Sequence, residues 1–255
     1  MRVVIVGGTG RIGSTLSSVV AQHGHTPVVA SRRVGVNTVT GEGLAAVLER
    51  ASVVVDVSNA PSSADADVLD FFTAGTHHLL AAEAAARVTH HVALSIVGAE
   101  RLTDSAYFRA KAAQERLIEA SSIPYTIVRA TQFFEFLADI AGVATNGNTI
   151  RLPPVLVQPI AANDVAGAVY SAAVGPPLSR IVEVAGPQQL RLDDLIRRFL
   201  RARDDPRLVV TDAHARYFEA LLGERTLLPG PRALTATTRF DEWLNQSLDK
   251  QVGDR

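Results

Sequence analysis

Apolar and polar positions along the chain change rhythm in a repeating order. Val3 to Val6 form a continuous β-branched run, the mark of a strand covered on both faces in a parallel sheet. From Arg11 the spacing becomes helical, with Ile12, Leu16, Val19 and Val20 on one side and Gly24 placed as a left-handed stop. Pro27 to Ser31 then reads as a strand, Leu44 to Leu48 as helix, and Ser52 to Val57 as another buried strand. A helical stretch from about Asp65 to Arg87, with a break expected near Gly75, precedes a strand from His91 to Val97. A helix through Lys111 to Ala120 precedes a strand from Tyr125 to Arg129. Repeated βα units imply an α/β chain with a doubly wound parallel sheet. Its count comes to about six strands, with Ser58 after the fourth, Ser95 ending the fifth and Thr131 after the sixth.

Past Phe136 the texture changes. From about Asn146, shorter apolar pieces alternate with Pro153–Pro154, Pro176–Pro177, Pro206 and Pro229–Gly230–Pro231, punctuation that suits a small lobe over the carboxyl edge of the sheet. The expected division is a nucleotide-binding core over 1–145 and a small α/β substrate lobe over most of 146–255, with some segments returning to the core. Asn163 and Asp164 read as the cap and first turn of a helix there.

Composition narrows the chemistry. The 255 residues carry 25 Lys plus Arg against 26 Asp plus Glu, so no long-range field is available to hold nucleic acid or an anionic membrane. With no cysteine, disulfides, thiolate metal sites and cysteine nucleophiles are excluded. No apolar run approaches the roughly 20 residues of a membrane helix, and the Val3 to Val6 run is too short and too early for a signal peptide, so a cytoplasmic, soluble protein is expected. Of seven histidines, His77–His78 and His90–His91 are adjacent pairs; HExxH spacing is absent and no metal site is expected. Nothing in the sequence separates a monomer from a homodimer.

The segment Gly7–Gly8–Thr9–Gly10–Arg11–Ile12–Gly13 follows the first strand and opens the first helix. Glycines there allow a tight turn, let a pyrophosphate reach backbone N–H groups, and let helix and strand pack closely. Gly7, Thr9, Gly10, Arg11, Ile12 and Gly13 are therefore candidate cofactor contacts; the plainer reading is a tight βα turn and nothing more. An NAD site carries an acid about 20 residues on, whereas this chain has Ser31–Arg32–Arg33. Ser31 can hydrogen-bond a ribose 2′-phosphate and Arg32 or Arg33, with Arg11, can supply charge-assisted contacts, which favours NADP(H). The alternative is a solvated arginine rim. Ser58, Asn59 and Ala60 are placed by topology near the adenosine and ribose.

Tyr107 and Lys111 lie four apart, one turn along a helix face. A tyrosine has a reference pKa of about 10, and a neighbouring ammonium lowers it toward the working range of an acid–base. Ser95, in Leu94–Ser95–Ile96–Val97–Gly98, sits where open α/β sheets place their ligands and can hydrogen-bond a substrate carbonyl. Ser95, Tyr107 and Lys111 are thus the candidate catalytic set, with Lys111 also reaching cofactor ribose. Thr131 is a further cofactor candidate, and Gln132, Phe133 and Phe134 are candidate substrate walls; the two phenylalanines read equally well as core.

Gly7 to Gly13, YFRAKAAQE (Tyr107 to Glu115), IPYTIVRATQFFEF (Ile123 to Phe136), QPIAANDV (Gln158 to Val165) and VAGP (Val184 to Pro187) resemble the atypical, NmrA-like branch of the short-chain dehydrogenase/reductase superfamily. The resemblance runs to about Phe199. It implies a Rossmann core with a small C-terminal substrate lobe, NADP(H) binding and, where serine, tyrosine and lysine are all present, reduction of a carbonyl or quinone. Members that lack the tyrosine are redox-sensing regulators. The leading expectation is an NADPH-dependent oxidoreductase acting on a small molecule, and its rival is a non-catalytic NADP(H) sensor. A sugar-nucleotide epimerase is a third reading, against which the arginine pair speaks.

Overall fold

The computed structural model describes residues 1–61 and 65–253. Strand β1 (Arg2–Val6) leads to α1 (Arg11–Gln22), β2 (Thr26–Ala30), α2 (Leu44–Val47), β3 (Val53–Asp56), α3 (Asp65–Ala86), β4 (His90–Ile96), α4 (Ala106–Glu119) and β5 (Tyr125–Ala130). Then come α5 (Leu137–Val143), the short strands β6 (Thr145–Asn146), β7 (Thr149–Leu152) and β8 (Leu156–Val157), and α6 (Ala162–Val174). The chain closes with β9 (Arg180–Ala185), β10 (Leu190–Arg191), α7 (Leu192–Arg201), β11 (Leu208–Thr211), β12 (Leu234–Thr235) and α8 (Phe240–Gly253).

Seven parallel strands in the order β12-β9-β5-β4-β3-β1-β2 form the central sheet, a Rossmann-like α/β fold. The unbroken apolar run of β1 has its cause here. Val3 and Ile5 pack under α1 and α6 with Leu16 and Val165, while Val4 and Val6 face Leu44, Leu48 and Leu79 on the other side. Five strands, not six, precede Thr131, so Ser58 follows the third, Ser95 lies in the fourth and Thr131 follows the fifth. Residues 35–43 form a coil: Gly35, Gly41 and Gly43 all have positive φ, and the pairing there is one isolated bridge between Asn37 and Glu42.

Helix α3 runs unbroken through Gly75. A Cβ at that position would lie 3.2 Å from Thr38 Oγ1, so the glycine admits the neighbouring coil and does not interrupt the helix. The cap expected of Asn163 also differs: Ala161 occupies the N-cap position of α6, and Ala162 N–H donates to Glu135 Oε2 at 3.0 Å. A carboxylate from another element does what a local side chain usually does.

A three-stranded sheet (β11-β7-β6) and the β10-β8 pair build a second layer with α5, α7 and α8. Its core, which includes Ile150, Leu195, Phe199 and Phe240, is continuous with Leu102 and Phe108 of the main layer. Helix α6 and strands β9 and β12 belong to the main sheet. No described helix is long and apolar enough to cross a membrane.

Candidate active site

The turn after β1 is built by close backbone approach. Gly7 has φ +78°, and a Cβ on it would meet Ser58 Cα at 2.7 Å. A Cβ on Gly13 would meet Gly7 O at 2.3 Å and Gly8 Cα at 2.5 Å. Larger residues are barred at both positions. Helix α1 opens at Gly10 with no side-chain cap and no acidic residue in its first turn, which leaves its first N–H groups and the positive end of its dipole to an outside anion. Strand order reverses here, with β2 on one side of β1 and β3 on the other, and open sheets bind ligands at such points.

Buried polar atoms mark the rest of the edge. Ser31 Oγ, Ser95 Oγ and both amide atoms of Gln132 are buried without a hydrogen-bond partner. Each such group costs on the order of 1–3 kcal/mol, so native structures hold few without a purpose. Ser31 follows β2, Ser95 is near the end of β4 and Gln132 lies just past β5. Across four strand spacings of about 4.8 Å they span about 19 Å along the carboxyl edge, on either side of the glycine turn. That line has room for an extended dinucleotide, and the cradle and orphaned groups fit one.

Around the first half of that line, Arg32 and Arg33 are exposed on a single 3-10 turn opened by Ser31, and Thr9, Gly10 and Arg11 are exposed at the glycine turn while Ile12 is buried. Ser58 N–H donates to Asp56 Oδ1 at 2.9 Å. Asn59 is exposed, and Ala60 packs against the small cluster that holds Phe72.

Tyr107 and Lys111 share α4 and both touch Phe72, but their polar ends have different surroundings. Tyr107 meets Phe72 and Phe108 edge-on at 6.0 Å each. Lys111 Nζ lies 4.5 Å from the Phe72 ring centroid, donates to Leu94 O at 2.8 Å and donates closely to Gln114 Oε1. Gln114 Nε2 in turn donates to Asp56 Oδ2 at 2.9 Å. Burial lowers the Lys111 pKa to about 8, although Asp56 and Glu115 act to raise it. Burial pushes the Tyr107 phenol up to about 12. The expected depression of the tyrosine by its lysine therefore does not arise, because desolvation dominates and the ammonium is directed at Leu94 O and Gln114. Ser95 is brought to Lys111 through its neighbour Leu94.

Past β5, Thr131 is 1% exposed and its hydroxyl donates to Gln158 O at 2.6 Å. It fastens the lobe to the sheet with its one hydroxyl proton, and toward a cofactor the oxygen could only accept. Phe134, expected as a substrate wall, is core, seated against Phe240 at 5.6 Å and Trp243 at 5.2 Å. Phe133 stays half-buried and stacks on Phe136 at 5.3 Å.

Asp56, Gln114 and Arg129 were not singled out by sequence. Gln114 follows Lys111 by three, a spacing that sets both on one helix face, and Asp56 is an acid at the end of an apolar strand; both are legible signals in retrospect. Arg129 is held by Glu115 at 2.8 and 2.6 Å and by Glu100 at 2.5 Å. His91 bonds Glu83 at 2.8 Å and His90 bonds Thr126 at 2.9 Å. Among the described residues no group of three or more His, Asp or Glu converges to hold a metal.

The family described as NAD(P)H-binding matches residues 7–174, from the glycine turn to the end of α6. MoeE5 in complex with UDP-glucose and NAD superposes with a TM-score of 0.76 at 16% identity, covering 100% of this chain and 99% of that one. A short-chain dehydrogenase/reductase superfamily protein from Agrobacterium tumefaciens with bound NAD gives 0.74 at 15%, covering 100% and 98%. Thermus thermophilus UDP-glucose 4-epimerase in complex with NAD gives 0.73 at 18%, covering 98% of each chain. At these identities the likeness is one of fold. No curated protein compared with the chain matches it. With the family match spanning more than half of the sequence and starting on the glycine cradle, the chain belongs to the NAD(P)H-binding family.

Proposed function

We propose that this chain is an NADPH-dependent reductase of a small carbonyl or quinone-type molecule. The observation that carries the reading is the line of buried, unsatisfied groups, Ser31 Oγ, Ser95 Oγ and the Gln132 amide, drawn through an uncapped helix N-terminus. Bound, NADPH supplies a hydride. The N–H groups opening α1 hold its diphosphate, and Ser31 with Arg32 and Arg33 reads the 2′-phosphate. Ser95 donates a hydrogen bond to the substrate oxygen. Tyr107, neutral across physiological pH, delivers a proton to that oxygen as negative charge develops. Of the three Lys111 donors, two are engaged by Leu94 O and Gln114, and the third would be the one offered to the cofactor's ribose.

The sensor reading draws support from the Tyr107 phenol, whose surroundings push its pKa up to about 12 and so away from acid–base work. NAD, with which the epimerase neighbour is in complex, is disfavoured here by the arginine pair standing where an acid would read the 2′-hydroxyl. The deciding experiment incubates purified protein with NADPH and a panel of quinones and aldehydes. NADPH consumption is expected, and Tyr107→Phe lowers turnover on the order of 10²- to 10⁴-fold with NADPH affinity nearly unchanged. Full turnover in that variant refutes the role of Tyr107. Binding without consumption by the wild type favours the sensor. Combined Arg32→Ala and Arg33→Ala weakens NADPH far more than NADH; equal losses contradict the 2′-phosphate reading.

A further inference from the structure

We propose that Gln132 is a specificity-determining residue of this site and reads an amide edge, a hydrogen-bond donor and acceptor side by side in one plane, on the molecule bound beyond β5. The inference rests on the reading of the carboxyl edge as a nicotinamide-nucleotide site and names the chemistry recognised at its far end.

Gln132 is 6% exposed, and neither its Nε2 nor its Oε1 has a hydrogen-bond partner. Two nearby glutamines show what this chain does when an amide serves structure. Gln114 Oε1 accepts from Lys111 and its Nε2 donates to Asp56. Gln158 Nε2 donates to Gly186 O at 2.8 Å, and its Oε1 accepts from Gln189 Nε2 at 3.2 Å. Both ends of those two amides are engaged, and both ends of Gln132 are bare. A donor and an acceptor buried together without partners are a cost that a leucine in the same place would avoid.

The backbone that carries this side chain is fastened on both sides. Thr131 N–H donates to Val184 O at 3.1 Å, Ile160 N–H to Gln132 O at 2.9 Å and Phe134 N–H to Ile160 O at 2.9 Å. The Thr131 hydroxyl holds Gln158 O at 2.6 Å. These bonds tie the stretch after β5 to the end of β9 and to residues 158–160, so the Gln132 amide is presented from a fixed support. A primary amide offers N–H and C=O in one plane, and its full complement is another amide edge, with which it closes a ring of two N–H···O bonds. A lone ketone or quinone oxygen answers the Nε2 donor and leaves Oε1 unpaired.

Ser95 stands on β4, which pairs with β5, so a carbonyl oxygen taken by Ser95 and an amide edge taken by Gln132 belong to neighbouring parts of what binds there. Two molecules can bring that edge. One is the substrate; the other is the cofactor through its nicotinamide carboxamide, since Gln132 lies at the end of the line away from Arg32 and Arg33.

Calorimetric titration of the full chain separates the two sources. The substrate arm sets isatin, a flat ketone with a lactam N–H and C=O, against N-methylisatin, which lacks the donor, with NADP⁺ present so that nothing turns over. The cofactor arm sets NADP⁺ against its 3-acetylpyridine analogue, whose acetyl group keeps the acceptor and lacks the donor. In the wild type at least one pair favours the amide form by about fivefold or more, the effect of leaving one buried group unpaired. In Gln132→Leu that preference falls to within about twofold, while adenosine 2′,5′-bisphosphate, which lacks the nicotinamide half, binds within about twofold of wild type. Collapse of the isatin ratio assigns the edge to the substrate, and collapse of the NADP⁺ ratio assigns it to the cofactor. Wild-type ratios under about twofold in both arms, or ratios that survive Gln132→Leu, overturn the proposal. Absence of NADP⁺ and isatin binding by every form overturns it together with the nucleotide reading. If Gln132→Leu does not fold, Gln132→Met, which matches the length of the glutamine, is judged by the same criteria. A ratio that collapses without NADPH consumption by the wild type leaves Gln132 as the reader and removes the reductase. NADPH consumption with both ratios flat keeps the reductase and overturns the role of Gln132.

Discussion

Replacing Lys111 by methionine removes a charge that the fold holds at a cost. The side chain is 3% exposed, and burial brings its pKa from 10.5 to about 8. That gap corresponds to about 3 kcal/mol against the charged folded form. The unfolded chain takes up this proton as pH falls through 10.5, the folded chain only near 8. Between those values the unfolded state binds more protons, so the lysine's contribution favours folding above about 10.5, fades as pH falls, and is fully lost below about 8. Tyr107 acts in the opposite sense above about pH 10, because its phenol ionises in the unfolded chain before it does at about 12 in the folded one. The informative window is therefore about pH 8 to 10.

Urea denaturation of wild type and Lys111→Met across that window isolates the lysine, since all other titrations are common to both proteins. The stability difference is expected to move toward the wild type by about 2 to 3 kcal/mol between about pH 8 and pH 10. The hydrogen bonds to Leu94 O and Gln114 that the methionine lacks add a pH-independent offset of about 1 kcal/mol each. A difference that stays flat across the window would show that the ammonium is not desolvated as the geometry requires. A charge maintained against this cost, at the carboxyl edge of the sheet, has the character of a functional group.

Two further outcomes follow from distances. Gly13→Ala sets a Cβ 2.3 Å from Gly7 O and must spread the turn, so NADPH affinity in a fluorescence titration drops at least about tenfold while the sheet still folds, at a cost of about 1–3 kcal/mol; unaltered affinity would count against the cradle. Arg129→Met leaves Glu115 buried opposite an uncharged chain, and thermal or urea denaturation should show a loss of about 3–5 kcal/mol, with a loss under about 1 kcal/mol contradicting the buried pair.

Much of the fold was legible because its signals act over a few residues. The β1 run, the glycine turn and the helical stripe of Ile12, Leu16 and Val20 are local patterns with local causes. Residues 35–43, between β2 and α2, show the limit: three left-handed glycines and the packing of Thr38 against Gly75 shape that coil, and the second of these joins segments distant in sequence. Asn163 offered a local cap, yet Glu135 took that role from another element. At the site, the Tyr107–Lys111 spacing placed both on one face of α4, but spacing says nothing about where a polar end finds its partner. Gln114 and Asp56 direct the ammonium, and Thr131 and Phe134 are drawn into the seam between sheet and lobe.

By itself, then, the amino-acid order determined the alternating βα architecture, the anion-binding turn and the identity of the candidate polar groups, since periodicity, glycine conformation and charge are properties of neighbours along the chain. Tertiary structure alone decided which of those groups are desolvated, which are left without partners and what covers them. A pKa or an unsatisfied hydroxyl depends on the local dielectric and on contacts in three dimensions, and residues as remote as Asp56 and Gln114 supply those contacts.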